Sequence, residues 1–219
     1  MIALVALAAL AAGVHERELE HDGQTVRYTL RIPKGKGPHP VVLALHYAGE
    51  VTPWYGRGVL DRLVAPALES VNPIIVAPDC PGLGWTDPAS VSAALAVLDA
   101  VSAELRVDPD RTLVTGFSMG GIGTWHIALA HPERFTVAAP VAGLPPGDTS
   151  ALTLPIAIVH SAADTVIPIG PTEAAVTALR DRDHPVRFTR LPSVPHHDVP
   201  GHVQALRAMV PWIEACWAE

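Results

Sequence analysis

Beyond residue 20 the chain alternates short apolar, β-branched runs with longer stretches whose apolar residues recur at helical spacing. That alternation predicts repeated βα units around a mostly parallel sheet, with helices on both faces. Strands are expected at 25–33, 41–47, 73–79, 111–117, 136–143, 155–162 and 186–192. The first alternates apolar and polar positions and is expected at a sheet edge. The middle ones, such as "VVLALHY" and "PIIVAPD", are continuously apolar, as strands covered on both faces must be. Helices fit at 58–70, 88–106, 119–131, 171–182 and 201–217. Asp87 as N-cap with Pro88 behind it opens the second, and Pro171 opens the fourth.

The opening "MIALVALAALAAGV" breaks this pattern. It is too short to span a bilayer, and its apolar core and small terminal residues resemble an export signal without the basic residues that normally precede one. Residues 1–14 are therefore expected to be a signal remnant, giving a secreted or periplasmic protein, with a cytoplasmic one as the alternative, and 20–219 to form a single domain. At 219 residues, 49% hydrophobic and 17% charged, that domain needs no metal or disulfide to hold it. A net charge of -7 and no Lys/Arg cluster argue against a nucleic-acid partner. Cys80 and Cys216 are too few for a cysteine-based zinc site, leaving one long-range bridge open.

Chemistry enters at "RTLVTGFSMGGIGTW", residues 111–125. Gly116, Ser118 and Gly120 spell G-x-S-x-G between a buried strand and a helix, the setting of a nucleophile elbow. A serine at so tight a turn is strained, and its neighbours two residues either side must lack bulk. The helix beginning at 119 would aim its N-terminal amides at an oxyanion beside Ser118, with the Met119 amide as first donor. The bland alternative is a glycine-rich turn with an incidental serine.

A serine hydroxyl needs a base and an orienting acid. Asp164 follows the strand "PIAIVH" directly; Asp181, Asp183 and Asp198 do not follow a buried strand in this way, and Asp164 could also be a turn residue. "SVPHHDVPGH" follows the strand "VRFTRLP", and its position favours His196 over His197 as base, with His202 opening the last helix. "HHD" lacks the i, i+4 spacing of a helical metal site, so no metal is expected. His46 ends the second strand, and the loop after it would give the second oxyanion amide from Ala48, otherwise from Tyr47.

"VDPDRTLVTGFSMGGIGTW", "HPERFTVAAPVAG", "HSAADTVIP" and "FTRLPSVPH", in that order, resemble the α/β-hydrolases, and among them small carboxylesterases of the polyhydroxybutyrate depolymerase, feruloyl esterase and phospholipase/carboxylesterase types. The resemblance implies an α/β-hydrolase fold without a lid domain, a Ser118–His196–Asp164 triad, no cofactor, and a small or polymeric ester as partner. It also implies a substrate contact at Trp85, in the loop "APDCPGLGW", and a pocket rimmed by Tyr47, Trp54, Tyr55 and Trp85. Tyr47 stands where relatives have glycine, and "SVPH" where they often have G-x-G-H, which leaves Ala48 against Tyr47 and His196 against His197 open. A prolyl-oligopeptidase-type peptidase, a thioesterase or a non-catalytic binding protein would share this fold.

Overall fold

In a computed structural model, which describes residues 10–218, eight strands form one sheet: β1 (Gly13–His21), β2 (Gln24–Ile32), β3 (His39–Leu45), β4 (Ile74–Pro78), β5 (Val107–Phe117), β6 (Val137–Val141), β7 (Ile156–Ser161) and β8 (Val186–Leu191). Their order is β1-β2-β4-β3-β5-β6-β7-β8. β3 to β8 run parallel to one another, while β2 is antiparallel to both β1 and β4. The seven expected strands thus all form, but the one expected at the edge is interior. β1 takes the edge instead. Its "VHERELEH" alternates half-buried with exposed positions, and Asp22 and Gly23, at φ 48° and 75°, form the two-residue turn whose twist suits a hairpin. Most of the expected export remnant, residues 1–9, lies outside the described residues, whereas Gly13 and Val14 already belong to β1.

Period-2 alternation sorts the parallel strands' side chains into two cores. Val41, Leu43 and Leu45 of β3 pack on one face, under α3 (Pro88–Glu104), α4 (Met119–Ala130) and α5 (Gly170–Arg180). Val42 and Ala44 pack on the other, under α6 (Val199–Cys216) and a broken helix. Each fully buried leucine or isoleucine here contributes about 2 kcal/mol of transfer free energy. Cys80 belongs to the first core and Cys216 packs on the second, and no disulfide joins them.

The broken helix departs from the smooth one expected at 58–70. It runs as α1 (Arg57–Val59), a π-helical turn (Leu60–Val64) and α2 (Ala65–Ala67). Pro66 has no N–H to offer the carbonyl four residues back, so regular α-helical bonding cannot continue there, and the turn ahead of it is the wide one. The link from β6 to β7, residues 142–155, carries no helix. Among the described residues no helix is long and apolar enough to cross a membrane.

Candidate active site

β5 delivers Ser118 to the C-terminal edge of the sheet with φ 57° and ψ -115°, a backbone state that costs a non-glycine residue roughly 1–3 kcal/mol. Its surroundings hold it there. The Ser118 N–H donates to the Val141 carbonyl at 3.0 Å, and the Ser118 carbonyl accepts from the Ile122 N–H at 3.0 Å. A Cβ at Gly116 would lie 2.5 Å from the Gly120 carbonyl oxygen, and one at Gly120 only 1.9 Å from that of Leu45. Both glycines are therefore needed to let β5, β3 and α4 approach this closely. Met119 is the first residue of α4, so its N–H has no intrahelical acceptor, and no side chain caps the helix.

Three side chains far apart in sequence meet here. The Ser118 hydroxyl donates to His196 Nε2 at 2.9 Å, and His196 Nδ1–H donates to Asp164 Oδ2 at 2.6 Å. The other oxygen of Asp164 accepts the N–H groups of Val166 and Ile167 at 2.9 and 2.8 Å. Burial alone would raise the Asp164 pKa, but the bonds from His196 and the two amides outweigh it and hold the carboxyl below the usual range. His196 is buried and its ring lies 5.1 Å from that of Phe117, whereas His197 is exposed. Asp181, Asp183 and Asp198 do not bond to His196; Asp198 is the residue before α6. His202, expected to open that helix, lies in its first turn three residues past the observed start at Val199, buried with its ring 5.3 Å from that of Phe117.

The loop after β3 is fixed by buried polar contacts. His46 Nδ1–H donates to the Tyr47 carbonyl at 2.7 Å, and His46 Nε2 accepts the Cys80 N–H at 2.9 Å. Because a trans peptide sets its C=O and N–H on opposite sides, the Ala48 N–H points away from the His46 ring. The indole N–H of Trp85 donates to the His46 carbonyl at 2.9 Å and fixes the preceding peptide in the same way. This corrects the expectation for Trp85. It is only 1% exposed, set against Gly123 in the first core, and does not line the pocket; it positions the loop.

Ser118, His196, Tyr47 and Ala48 share an open pocket of about 450 Å³ with Phe117 and Arg62. Tyr47 lines it, and Tyr55 packs edge-on behind it at 5.7 Å. A hollow of about 480 Å³ elsewhere also holds a serine and a histidine, Ser92 and His21, 2.8 Å apart. The carboxylate beside that ring, Asp22, lies 3.3 Å from the same Nε2 that meets Ser92, so it cannot orient the imidazole from behind. Among the described residues no group of three or more His, Cys, Asp or Glu could hold a metal.

With this geometry in place the chain can be compared with known proteins. Residues 91–190 match the family described as "Putative esterase". A crystal structure of a thermostable esterase superposes with a TM-score of 0.80 at 26% identity, covering 92% of this chain and 62% of that one. The chain has the α/β-hydrolase fold. Feruloyl esterase C of Emericella nidulans is 30% identical over 159 residues, 65% of this chain and 56% of the relative. Poly(3-hydroxyalkanoate) depolymerase C of Paucimonas lemoignei is 31% identical over 130 residues, 52% of this chain and 30% of the relative. The chain thus spans just over half of the first of these relatives and under a third of the second.

Sequence reasoning missed Arg62 and Phe117 on the pocket wall and a third residue, behind Asp164. His160, the penultimate residue of β7 but one position short of its end, is fully buried, with Nε2 3.4 Å from Asp164 Oδ2. Nε2–H donates to the Ile167 carbonyl at 2.9 Å, and Nδ1 accepts the Thr172 hydroxyl at 2.8 Å. It thereby ties the loop that carries Asp164 to the start of α5. Its place between an apolar strand and the Asp164 loop was the available signal.

The buried histidines make the fold acid-sensitive. Burial lowers the His46 pKa from 6.5 to about 4, and lowers those of His160 and His202 as well. Between pH 6.5 and 4 the unfolded chain binds the His46 proton and the folded chain does not. Stability therefore falls as the pH drops through that window, by about 3 kcal/mol from His46 alone. Asp164, shifted down, adds stability above the ordinary carboxylate pKa that is lost at still lower pH. Urea midpoints measured from neutral to acid pH are expected to fall steadily, and a flat profile down to the His46 value would contradict this.

Proposed function

We propose that this chain is a serine esterase. Ser118 Oγ attacks the carbonyl carbon of a carboxylic ester while His196 Nε2 takes the hydroxyl proton; Asp164 orients and stabilises the imidazolium without being protonated itself. The negative charge that develops on the carbonyl oxygen is met by the amides of Met119 and Ala48. Collapse of the tetrahedral intermediate expels the alcohol, which leaves with the proton from His196. A water molecule, deprotonated by the same nitrogen, then attacks the acyl group on Ser118, and the acid departs as the serine regains its proton.

The observation that carries this reading is the unbroken line of hydrogen bonds from Ser118 through His196 to Asp164. The 47–48 peptide, held by the His46 ring, fixes the direction of the Ala48 N–H, the second donor in this reading. The relatives named feruloyl esterase C and poly(3-hydroxyalkanoate) depolymerase C support aromatic esters or polyesters as the substrate class, and Tyr47 and Phe117 offer flat apolar contacts for an aromatic group. The test is a panel of para-nitrophenyl esters, methyl ferulate and a polyhydroxybutyrate dispersion beside a matched thioester and anilide, with fluorophosphonate labelling of Ser118. Ester turnover with the anilide untouched is expected. Faster cleavage of the anilide or thioester would transfer the reading to a peptidase or thioesterase, and a folded protein inert to both esters and probe would make it a binding protein.

A further inference from the structure

We infer that the pocket beside Ser118 receives an ester carrying a carboxylate a few bonds from the scissile carbonyl, with Arg62 as its counter-ion. The inference rests on the ester-hydrolase reading and narrows its substrate class. Arg62 sits in the π-helical turn (Leu60–Val64), and its side chain lines the pocket that holds Ser118 and His196. Apart from the two imidazoles of His196 and His197, it is the one ionisable group with a full charge on that lining, which contains no carboxylate. Tyr47, Phe117 and Val199 supply an apolar wall, against which a guanidinium attracts an anion more strongly than in open water.

Arg62 is also uncommitted. Its neighbour Asp61 is held by Arg57 at 3.1 Å, and Arg57 reaches Glu16 at 3.3 Å as well. Arg17, Arg27, Arg111 and Arg190 each hold a carboxylate in the same way. Among the described residues Arg62 has no ion pair, although the chain as a whole carries a net charge of -7. An unpaired cation at the nucleophile's pocket in an acidic protein is complementary to a charge the substrate brings. The planar fork of a guanidinium fits a carboxylate through two parallel hydrogen bonds.

The carboxylate could lie on the acyl or the alcohol side of the ester, so two matched pairs are compared. para-Nitrophenyl valerate with the para-nitrophenyl monoester of glutaric acid tests the acyl side; phenyl butyrate with meta-carboxyphenyl butyrate tests the alcohol side. The readout is the ratio of kcat/KM for the anionic over the neutral ester, compared between wild type and variants so that differences in leaving-group reactivity cancel. In one pair Arg62→Gln is expected to lower the ratio roughly tenfold and Arg62→Glu further, with the wild-type preference shrinking at high salt. Arg62→Lys, which keeps the charge but loses the bidentate fork, is expected to fall between wild type and Arg62→Gln. Ratios unmoved in both pairs, while wild type cleaves the neutral esters, overturn the inference and leave the esterase reading standing. Wild type inert to all four esters overturns both.

Discussion

Replacing Ser118 by alanine is expected to lower kcat on an activated short-chain ester by roughly four to six orders of magnitude. The magnitude follows from how the site is wired. His196 Nε2 has one partner in position to be deprotonated, the Ser118 hydroxyl at 2.9 Å, and in the proposed mechanism the amides of Met119 and Ala48 act only on an oxyanion formed at that place. Without the hydroxyl, the amides and the pocket still bind the ester, so KM should move far less than kcat. Alanine occupies the same strained backbone, held by the same Val141 bond, so the melting temperature should change little. Steady-state rates and a thermal melt of the purified variant check both halves. Near-normal turnover would place the chemistry elsewhere, and Ser92 beside His21 would be the next serine to test.

The second large effect is on folding. Gly120→Ala is expected to destabilise the protein by roughly 3 kcal/mol or more, since the added methyl meets backbone and not a side chain that can rotate away. Its Cβ would stand 1.9 Å from the Leu45 carbonyl oxygen and 2.6 Å from the carbon that bears it. Relief requires β3 and α4 to separate, which disturbs both the loop after β3 and the helix start below the nucleophile. For a domain of this size the cost corresponds to a fall in Tm of about 10 °C. Gly147→Ala is the matched control, because a methyl there meets nothing within 4 Å. Equal melting temperatures for the two variants would show that the close approach at Gly120 is not a constraint.

Much of this architecture was legible because burial on two faces leaves an unmistakable trace. Within "VVLALHY" and "PIIVAPD", the segments "VVLAL" (41–45) and "IIVAP" (74–78) are apolar at every position, and their side chains do divide between the two cores. β1 escaped because its inward positions include histidine, arginine and leucine, half-buried at an edge, so "VHERELEH" carries too little apolar contrast to announce a strand. The Asp22–Gly23 turn was the better clue. Trp85 was misjudged for a different reason. An aromatic residue in a glycine-rich loop near a nucleophile suggests a ligand contact, but the space that receives this indole exists only because Gly123 of a later helix lacks a side chain. His196 and His197 are adjacent in one loop, and only the path of the backbone after β8 determines which ring turns inward. Arg62 gave no linear signal at all, since it looks like any exposed residue of a surface helix.

The groups that position the loop after β3 carry a practical consequence. Trp85 and His46 are both interior residues, and each restrains one peptide of that loop from within the sheet's own packing. That loop therefore cannot soften while the body stays intact. On gradual heating, loss of turnover should coincide with the cooperative melt instead of preceding it, so that residual activity serves as a direct reporter of the fraction of molecules still assembled.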